Sequence, residues 1–290
     1  MRLLLVLSLT MFLLSSCKEV PPSINFKPVD QTLLDTSYID MNIPTAQEKH
    51  ILVEEFTGIA CSGCPHGHQK LEDILNAHGN RVEVISIHPK GIFTNPDFYP
   101  EFDTDFTTDA CEDIVTLYGP WGSLPLAGVD RVEVDGSTYI ERQSTWTVKV
   151  SERLSSTTPV NIEIAETIYD AGDKYAKLKV KLHYTSSVVN NQYLSVYLLE
   201  DSIIAPQLNA NFDGQYANDY VHKHILRDMF SSYQGDELSE DLEVGRVFEK
   251  EFKLSIDDGW DYDKLHVVAA VHHKVDSNNV VNVRSAHIGH

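Results

Sequence analysis

Two cysteines separated by two residues, Cys61 and Cys64, constrain this chain most, because they lie between a strand pattern and a helix pattern. The apolar run over 50–56 predicts a buried strand, and apolar residues three and four apart over 71–78 predict a helix. Unpaired N–H groups and the dipole at a helix N-terminus stabilise a thiolate. The motif therefore predicts a thiol site in which Cys61 is the exposed attacking thiol and Cys64 the resolving one.

The patterns that follow this motif alternate between strands and helices. In chain order they predict a helix that begins near Pro65, a central strand over 81–88, a long insert, a helix from about 107 to 118, an X-Pro step, a strand over 129–134, a hairpin turn at Asp135-Gly136 and a closing helix over 146–154. Together with the CxxC motif, this order resembles the thioredoxin fold, and the resemblance covers about residues 48–157.

The thioredoxin resemblance implies two further site residues. Pro125 occupies the position of the cis-proline that packs against the CxxC motif in that family. Glu55 occupies the position of a buried acid, and its alternation with Ile51 and Val53 predicts that it points into an apolar layer, where it would accept the proton of the resolving thiol. The sequence departs from the family pattern at Ala60, which replaces the usual tryptophan, and in the Ser-Gly pair between the cysteines. These departures leave the redox potential open.

The second half of the chain shows an alternation with period two. Apolar residues alternate with polar ones over 176–184, 194–198 and 265–271, and none of the cysteines lies beyond residue 158. About seven such strands in about 130 residues suit an immunoglobulin-like sandwich. The sequence therefore predicts an α/β thioredoxin-like N-terminal domain at 48–157, followed by an all-β immunoglobulin-like sandwich domain at 158–290.

The N-terminus predicts an export signal and an anchor. Residues 1–16 combine a short positive start with an apolar run too short to span a bilayer. The Leu-Ser-Ser-Cys ending resembles a bacterial lipobox, which implies that Cys17 is lipidated and binds the bilayer; the alternative is an ordinary secretory signal with an incidental cysteine. The proline-rich stretch over 17–47 then predicts a tether, of which 37–39 adds an edge strand to the domain that follows.

Several motifs together resemble one family. The lipobox is followed by Val53-Glu-Glu-Phe-Thr-Gly58 and Cys61-x-x-Cys-Pro-x-Gly-His68, and the far half contains Leu198-Leu-Glu-Asp-Ser-Ile-Ile-Ala-Pro-Gln207 and Tyr220-Val-His-Lys-His-Ile-Leu-Arg227. These motifs resemble the 28-kilodalton outer-membrane protein family of Bacteroidota lipoproteins. The resemblance implies a location at the outer membrane, facing either the periplasm or the cell surface, and no particular activity.

Composition excludes some classes of function. The 290 residues include 43 Asp and Glu against 23 Lys and Arg, for a net charge of −20. So acidic a chain is a poor nucleic-acid binder, because it lacks the basic surface that releases phosphate counterions. A second long apolar stretch is also missing from the sequence, which argues against a multi-pass transporter or channel.

Histidines and acids elsewhere could indicate metal sites, but their spacing argues against them. His66 and His68 are two residues apart and so do not share a helix face. His222 and His224 fall in a strand pattern, where a shared face leaves a weak metal pair open. The acidic stretch Asp257–Asp263 lacks the order of an EF-hand and predicts a solvated turn. We therefore expect no metal and no cofactor.

Two other features leave alternatives open. Cys111 is a lone cysteine on an apolar helix face and is interpreted as a small buried hydrophobe. The insert at 90–107 carries five aromatic residues. It could form an aromatic wall that receives a partner peptide beside the CxxC motif, or a satellite hydrophobic cluster that holds the loop in place.

Two functions from different classes fit these patterns. The first is a lipid-anchored protein that exchanges thiols and disulfides with a protein partner, or binds it through a thiol. In that case Cys61, Cys64, Pro125 and Glu55 form the site. The second is a non-enzymatic binding or adhesion lipoprotein whose CxxC is a structural disulfide, which an oxidising compartment would favour.

Overall fold

Strands rich in β-branched and aromatic residues dominate the computed structural model. The structure describes residues 33–91, 93–94, 104–118, 123–134, 140–210, 216–274 and 278–289. The predicted signal peptide, Cys17 and the first part of the tether lie outside these residues, as do the Asp135-Gly136 turn and Phe98, Tyr99 and Phe102 of the insert. The range Leu33–His290 forms one compact unit.

The described residues contain fourteen strands and three α-helices. In chain order they are β1 (Asp35–Ile39), β2 (Ile51–Phe56), α1 (Cys64–His78), β3 (Val82–Ile87), α2 (Asp109–Tyr118), β4 (Leu126–Val129), α3 (Trp146–Leu154), β5 (Val160–Asp170), β6 (Tyr175–Tyr184), β7 (Gln192–Glu200), β8 (Ile203–Leu208), β9 (Tyr216–His222), β10 (Ile225–Met229), β11 (Asp236–Glu237), β12 (Arg246–Ser255), β13 (Leu265–His273) and β14 (Val280–His287).

One large sheet takes strands from both halves of the sequence. Its order is β14-β13-β7-β10-β3-β2-β4, and β11 pairs with β7. The parallel pairing of β10 with β3, at Ile225 and Ser86, joins the two halves. Strands from before and after the predicted boundary at residues 157 and 158 therefore lie in the same sheet. The division into two domains remains a prediction.

A second sheet packs on the far half of the first one. Its order is β1-β12-β6-β5, and the apolar residues of β6 alternate inward, as their period predicted. They meet the inward side chains of β7 and β13 in one apolar core. The tether strand β1 pairs with β12. The expectation that it would join the domain immediately after it is therefore wrong, because the free edge of β12 supplies its hydrogen bonds.

Helices cover both faces of β2 and β3. Residues of α1 and α3 pack on one face, against Ile51, Val53, Val82 and Val84. The helix α2 packs on the other face, where Cys111 and Ile114 contact the same apolar cluster as Leu52, Ile85 and Ile87. The apolar residues on both faces of the strand predicted over 81–88 are explained by these two layers.

The prediction of a strand over 129–134 is wrong. The strand β4 ends at Val129, and the next two residues, Asp130 and Arg131, have left-handed backbones with φ of 49° and 51°. Both side chains are buried in ion pairs: the Asp130 carboxylate lies 2.8 Å from Lys49 Nζ, and Arg131 Nη2 lies 2.7 Å from Glu54 Oε1. The short apolar alternation was overridden by these buried charges, which only the folded chain brings together.

Candidate functional site

Cys61 and Cys64 are joined in a disulfide at the start of helix α1. The helix begins at Cys64, and Pro65 occupies its first turn, where a residue without an N–H is tolerated. The predicted junction of strand, motif and helix is therefore present. The strand β2 ends at Phe56, five residues before Cys61, so the motif lies at the carboxyl end of a central strand.

The disulfide is covered rather than exposed. Cys61 is 3% exposed and Cys64 is fully buried, so the prediction that Cys61 is an exposed thiol is wrong. The cover is the hairpin of β8 and β9: the side-chain amide of Gln207 donates to the carbonyls of Gly58 and Cys61, each at 3.2 Å. The backbone N–H of Ala210 donates to Ser62 at 3.0 Å. The hairpin therefore lies against the backbone of the CxxC segment.

Pro125 packs against the CxxC segment. The Leu124–Pro125 peptide bond is cis. A β-carbon built on Gly63 would lie 3.8 Å from Pro125 Cδ, and one built on Gly67 would lie 3.0 Å from two atoms of the same ring. The expected position of Pro125 beside the motif is therefore what the structure shows, and glycine at position 67 allows the close approach.

Glu55 is a buried carboxyl group beneath helix α1. It is 1% exposed, and its Oε1 has no hydrogen-bond partner. That atom lies 3.1 Å from where a β-carbon of Gly67 would be, while Oε2 accepts a bond from Ser86 Oγ at 3.4 Å. Burial raises the pKa of Glu55 to about 8, against a smaller lowering effect of the Ser86 bond. The group is therefore mostly protonated at pH 7.

His68 lies close to Glu55 without forming an ion pair with it. Its Nε2 is 3.7 Å from Glu55 Oε1, and its ring bonds to Thr57 Oγ1 at 2.8 Å and to the Tyr220 hydroxyl at 2.6 Å. Burial, with help from His222 and His224, lowers the pKa of His68 to about 3. His68 therefore connects helix α1 with the end of β2 and with β9.

A cavity of about 460 Å³ lies beside Glu55. Five histidines contribute to its wall, and these are His66, His68, His88, His222 and His224. The wall includes both the buried Glu55 and the exposed His66, so the cavity connects the carboxyl group with solvent. His222 is 2% exposed, at the end of β9. The prediction of a shared strand face for His222 and His224 is wrong, because β9 ends at His222.

The remaining candidates from the sequence have structural roles. Cys111 is fully buried on α2, and burial raises the pKa of its thiol, which confirms its interpretation as a small hydrophobe. Within the described part of the insert, Phe106 is buried beside Ile59 and Ala60, next to the motif. This packing favours the satellite cluster for that residue. Asp257 accepts the N–H of Gly259 in the turn between β12 and β13, as predicted.

Sequence reasoning missed Gln207 and Tyr220 as parts of the site. Both belong to motifs already quoted for the family resemblance, since Gln207 ends one of them and Tyr220 begins the other. They reach the CxxC region because β8 and β9 fold back over it, with Leu208 N–H donating to Ile59 at 2.8 Å. The two motifs that contain these residues were therefore the only sequence signal for their place in the site, although both lie far from the cysteines in sequence.

The fold and site define a class of protein: a β-rich chain in which a helix that begins with a disulfide packs on a sheet shared by both halves. No helix among the described residues is long and apolar enough to cross a membrane. The model of the outer membrane protein Omp28 family matches residues 116–290. The chain belongs to this family and is an outer-membrane protein. The CxxC segment precedes the matched region.

One solved structure supports the fold. The chain is similar to HBP35 of Porphyromonas gingivalis, with a TM-score of 0.65 and 19% identity, over 83% of this chain and 76% of that one. It also matches a domain of the outer membrane lipoprotein Omp28 from the same organism, with a TM-score of 0.31 and 19% identity, over 46% of this chain and 89% of that one. No match was found among curated proteins. At these identities the first similarity shows the fold alone.

Proposed function

We propose that this outer-membrane protein exchanges thiols and disulfides with a protein partner through Cys61 and Cys64. In this proposal residues 48–157 act as a thioredoxin-like domain and residues 158–290 as an immunoglobulin-like sandwich. The hairpin of β8 and β9 covers the disulfide until a partner displaces it. Residues 1–16 are a signal peptide, Cys17 carries the lipid, and the following residues up to 47 hold the body away from the bilayer.

The observation that carries this proposal is the burial of the Glu55 carboxyl group beneath the CxxC helix. A structural disulfide needs no buried acid, and burying a polar group without a partner destabilises a fold by about 1–3 kcal/mol. Glu55 has an oxygen with no hydrogen-bond partner, close to the Gly67 turn of the CxxC helix. Strongly shifted pKa values beside a reactive motif are typical of functional groups. The acid therefore supports a role in proton transfer at the cysteines.

The chemistry follows from the oxidised pair and the protonated acid. A thiolate of the partner attacks Cys61 Sγ, the Cys61–Cys64 bond breaks, and Cys64 leaves as a thiolate that receives the proton of Glu55. The partner's second thiolate then attacks the partner's first sulfur, which is bonded to Cys61 in the mixed disulfide. This step releases the Cys61 thiolate. The partner loses two electrons and gains a disulfide, while this chain gains a dithiol. In the reverse direction Glu55 accepts the proton of Cys64.

The test is the redox equilibrium of the pair in the purified full-length chain. The protein is equilibrated with glutathione buffers of known potential, and the thiols are labelled and quantified by mass spectrometry. A working pair has a potential of about −120 to −270 mV, whereas structural disulfides lie below about −300 mV. A potential in the working range, with Cys61 labelled first, supports exchange. Reduction only after unfolding would refute it.

The second candidate function is a binding module whose disulfide is structural. The burial of both cysteines under the β8–β9 hairpin favours it. In that case a Cys61→Ser/Cys64→Ser double variant would lose stability but keep its partner. Under the exchange proposal, Cys64→Ser would instead trap a partner in a mixed disulfide that dithiothreitol releases.

A further inference from the structure

Three side chains meet at the ends of neighbouring strands, and one of them also lines the cavity described above. Asp201 directly follows β7, His224 directly precedes β10, and His266 is the second residue of β13. The strand β7 lies between the other two strands, and Glu200 at its end pairs with both Leu265 and Ile225. The sheet register therefore places the three side chains together, although they are far apart in sequence.

The ligand atoms of this trio are spaced as they would be around a small cation. The carboxylate oxygens of Asp201 lie 3.3 Å from His224 Nδ1 and 3.3 Å from His266 Nδ1, and one atom from each residue falls within 4.8 Å of the others. Tetrahedral ligands about 2.0–2.1 Å from a zinc ion are themselves about 3.3 Å apart. These separations therefore fit a shared metal.

The second observation is an unpartnered nitrogen. His266 is only 8% exposed, and its Nδ1 lies 3.3 Å from Asp201 Oδ2 without a well-aligned hydrogen bond to it or to any other group. A buried polar atom is usually satisfied, so a missing partner at this atom points to a ligand. The nitrogen faces Oδ2 of the same carboxylate whose Oδ1 lies 3.3 Å from His224 Nδ1.

The backbone positions the other two ligands. The N–H of His224 donates to Asp201 Oδ1 at 2.6 Å, a contact of the kind that orients a ligating carboxylate. His224 adopts a left-handed backbone with φ of 58°, which is uncommon for a residue with a side chain and concentrates at ligand sites. His224 also lines the cavity beside Glu55.

We propose that Asp201, His224 and His266 bind one divalent transition-metal ion of the zinc type. Two imidazoles and one carboxylate are a ligand set that zinc accepts, and three protein ligands leave a fourth position for water or another small ligand. Because His224 belongs to both the trio and the cavity wall, such a ligand would enter from the cavity. The proposal is independent of the exchange function.

Zinc titration of the full-length chain tests this proposal, with the disulfide kept oxidised so that no free CxxC thiols compete. Isothermal titration calorimetry should show one tight zinc ion per chain, and cobalt(II) should give the visible absorption of a four-coordinate site. Loss of an outer-shell partner alone lowers metal affinity about 10–100-fold. The ligand variants Asp201→Asn, His224→Asn and His266→Gln should therefore each lose at least about a hundredfold. Asparagine tolerates the left-handed backbone at position 224.

The control variant is His78→Gln, at the end of α1 and outside the trio. It should bind zinc as the unaltered chain does, and circular dichroism should show that every variant is folded. The Cys61→Ser/Cys64→Ser variant should also keep the zinc ion, which separates this site from the exchange function. Absence of a stoichiometric site in the unaltered chain, or ligand variants that bind like His78→Gln, would overturn the proposal and leave the trio as a buried polar cluster.

Discussion

Gly67 is the residue at which helix α1 approaches both Pro125 and Glu55. A β-carbon at this position would lie 3.0 Å from the proline ring and 3.1 Å from Glu55 Oε1. Distances this short require the helix, the proline or the acid to move, because packed interiors adjust only slightly. Glycine at this position therefore permits the close approach of the helix to Pro125 and Glu55.

Gly67→Ala should lower the free energy of unfolding by about 1–3 kcal/mol, because it overpacks this contact. Gly91→Ala is the matched control, since a β-carbon there would meet nothing within 4 Å. Urea denaturation of both variants measures the effect. Equal stability of the two variants would contradict the tight packing described for Gly67.

The pH dependence of stability should reveal Glu55. Its pKa is about 8 in the folded chain against an ordinary value of 4.5. Below the ordinary value both states hold the proton; as pH rises, the unfolded chain loses its proton first, so stability falls until the folded group ionises near pH 8. Glu55→Gln should remove this loss, which we expect to exceed about 2 kcal/mol between pH 5 and pH 9.

Urea unfolding across that range measures this difference, and Glu48→Gln is the control because its carboxylate is exposed. Under the exchange proposal Glu55→Gln should also slow the reduction of the Cys61–Cys64 disulfide by a dithiol at pH 7. A parallel fall in stability with pH for Glu55→Gln and the unaltered chain would show that Glu55 ionises normally.

At the scale of elements, local patterns predicted what local physics determines. The strand before the motif, the helices α1 and α3 and the alternating strand β6 follow from periodicity and from the position of Pro65. The position of β1 depends on β12, which lies far away in sequence. The early end of β4 coincides with buried ion pairs to Lys49 and Glu54, also distant in sequence. Periodicity carries no information about such partners.

The site divides in the same way. The disulfide, Pro125 and Glu55 occupy the positions that the sequence predicted for them. The hairpin that covers them was not predicted, because Gln207 lies 146 residues from Cys61 and reaches it only through the sheet. A motif identifies the chemical groups, whereas their exposure is decided by elements that come later in the chain.

The β8–β9 cover should control how fast the disulfide reacts. Gln207→Ala removes the amide that bonds to Gly58 and Cys61, and each hydrogen bond adds about 0.5–1.5 kcal/mol to a closed state. We expect the rate of disulfide reduction by a water-soluble phosphine to rise about tenfold. Labelling of the released thiols over time measures this rate. Gln234→Ala is the control, since Gln234 bonds to Tyr233 and Lys274 away from the motif. Equal rates would show that the hairpin does not limit access.

At the scale of the whole molecule, the negative charge of the chain opposes its attachment to a membrane. The net charge of −20 repels an anionic membrane surface, which argues against a peripheral position held by charge. A lipid attaches a protein by burying hydrocarbon, and each buried CH₂ contributes about 0.8 kcal/mol. In our proposal the lipid is on Cys17, at the end of the lipobox-like motif.

Cys17→Ala should therefore release the protein from the outer membrane. Cells expressing this variant are fractionated, and the chain is quantified in the membrane and soluble fractions by immunoblot. The unaltered chain should sediment with the outer membrane, as should Ser23→Ala, which changes a nearby residue and leaves Cys17 in place. A Cys17→Ala chain that still sediments with the membrane after a high-salt wash would show that another part of the protein provides the attachment. Salt weakens charge contacts and leaves lipid burial intact, so the wash separates the two forces on one molecule.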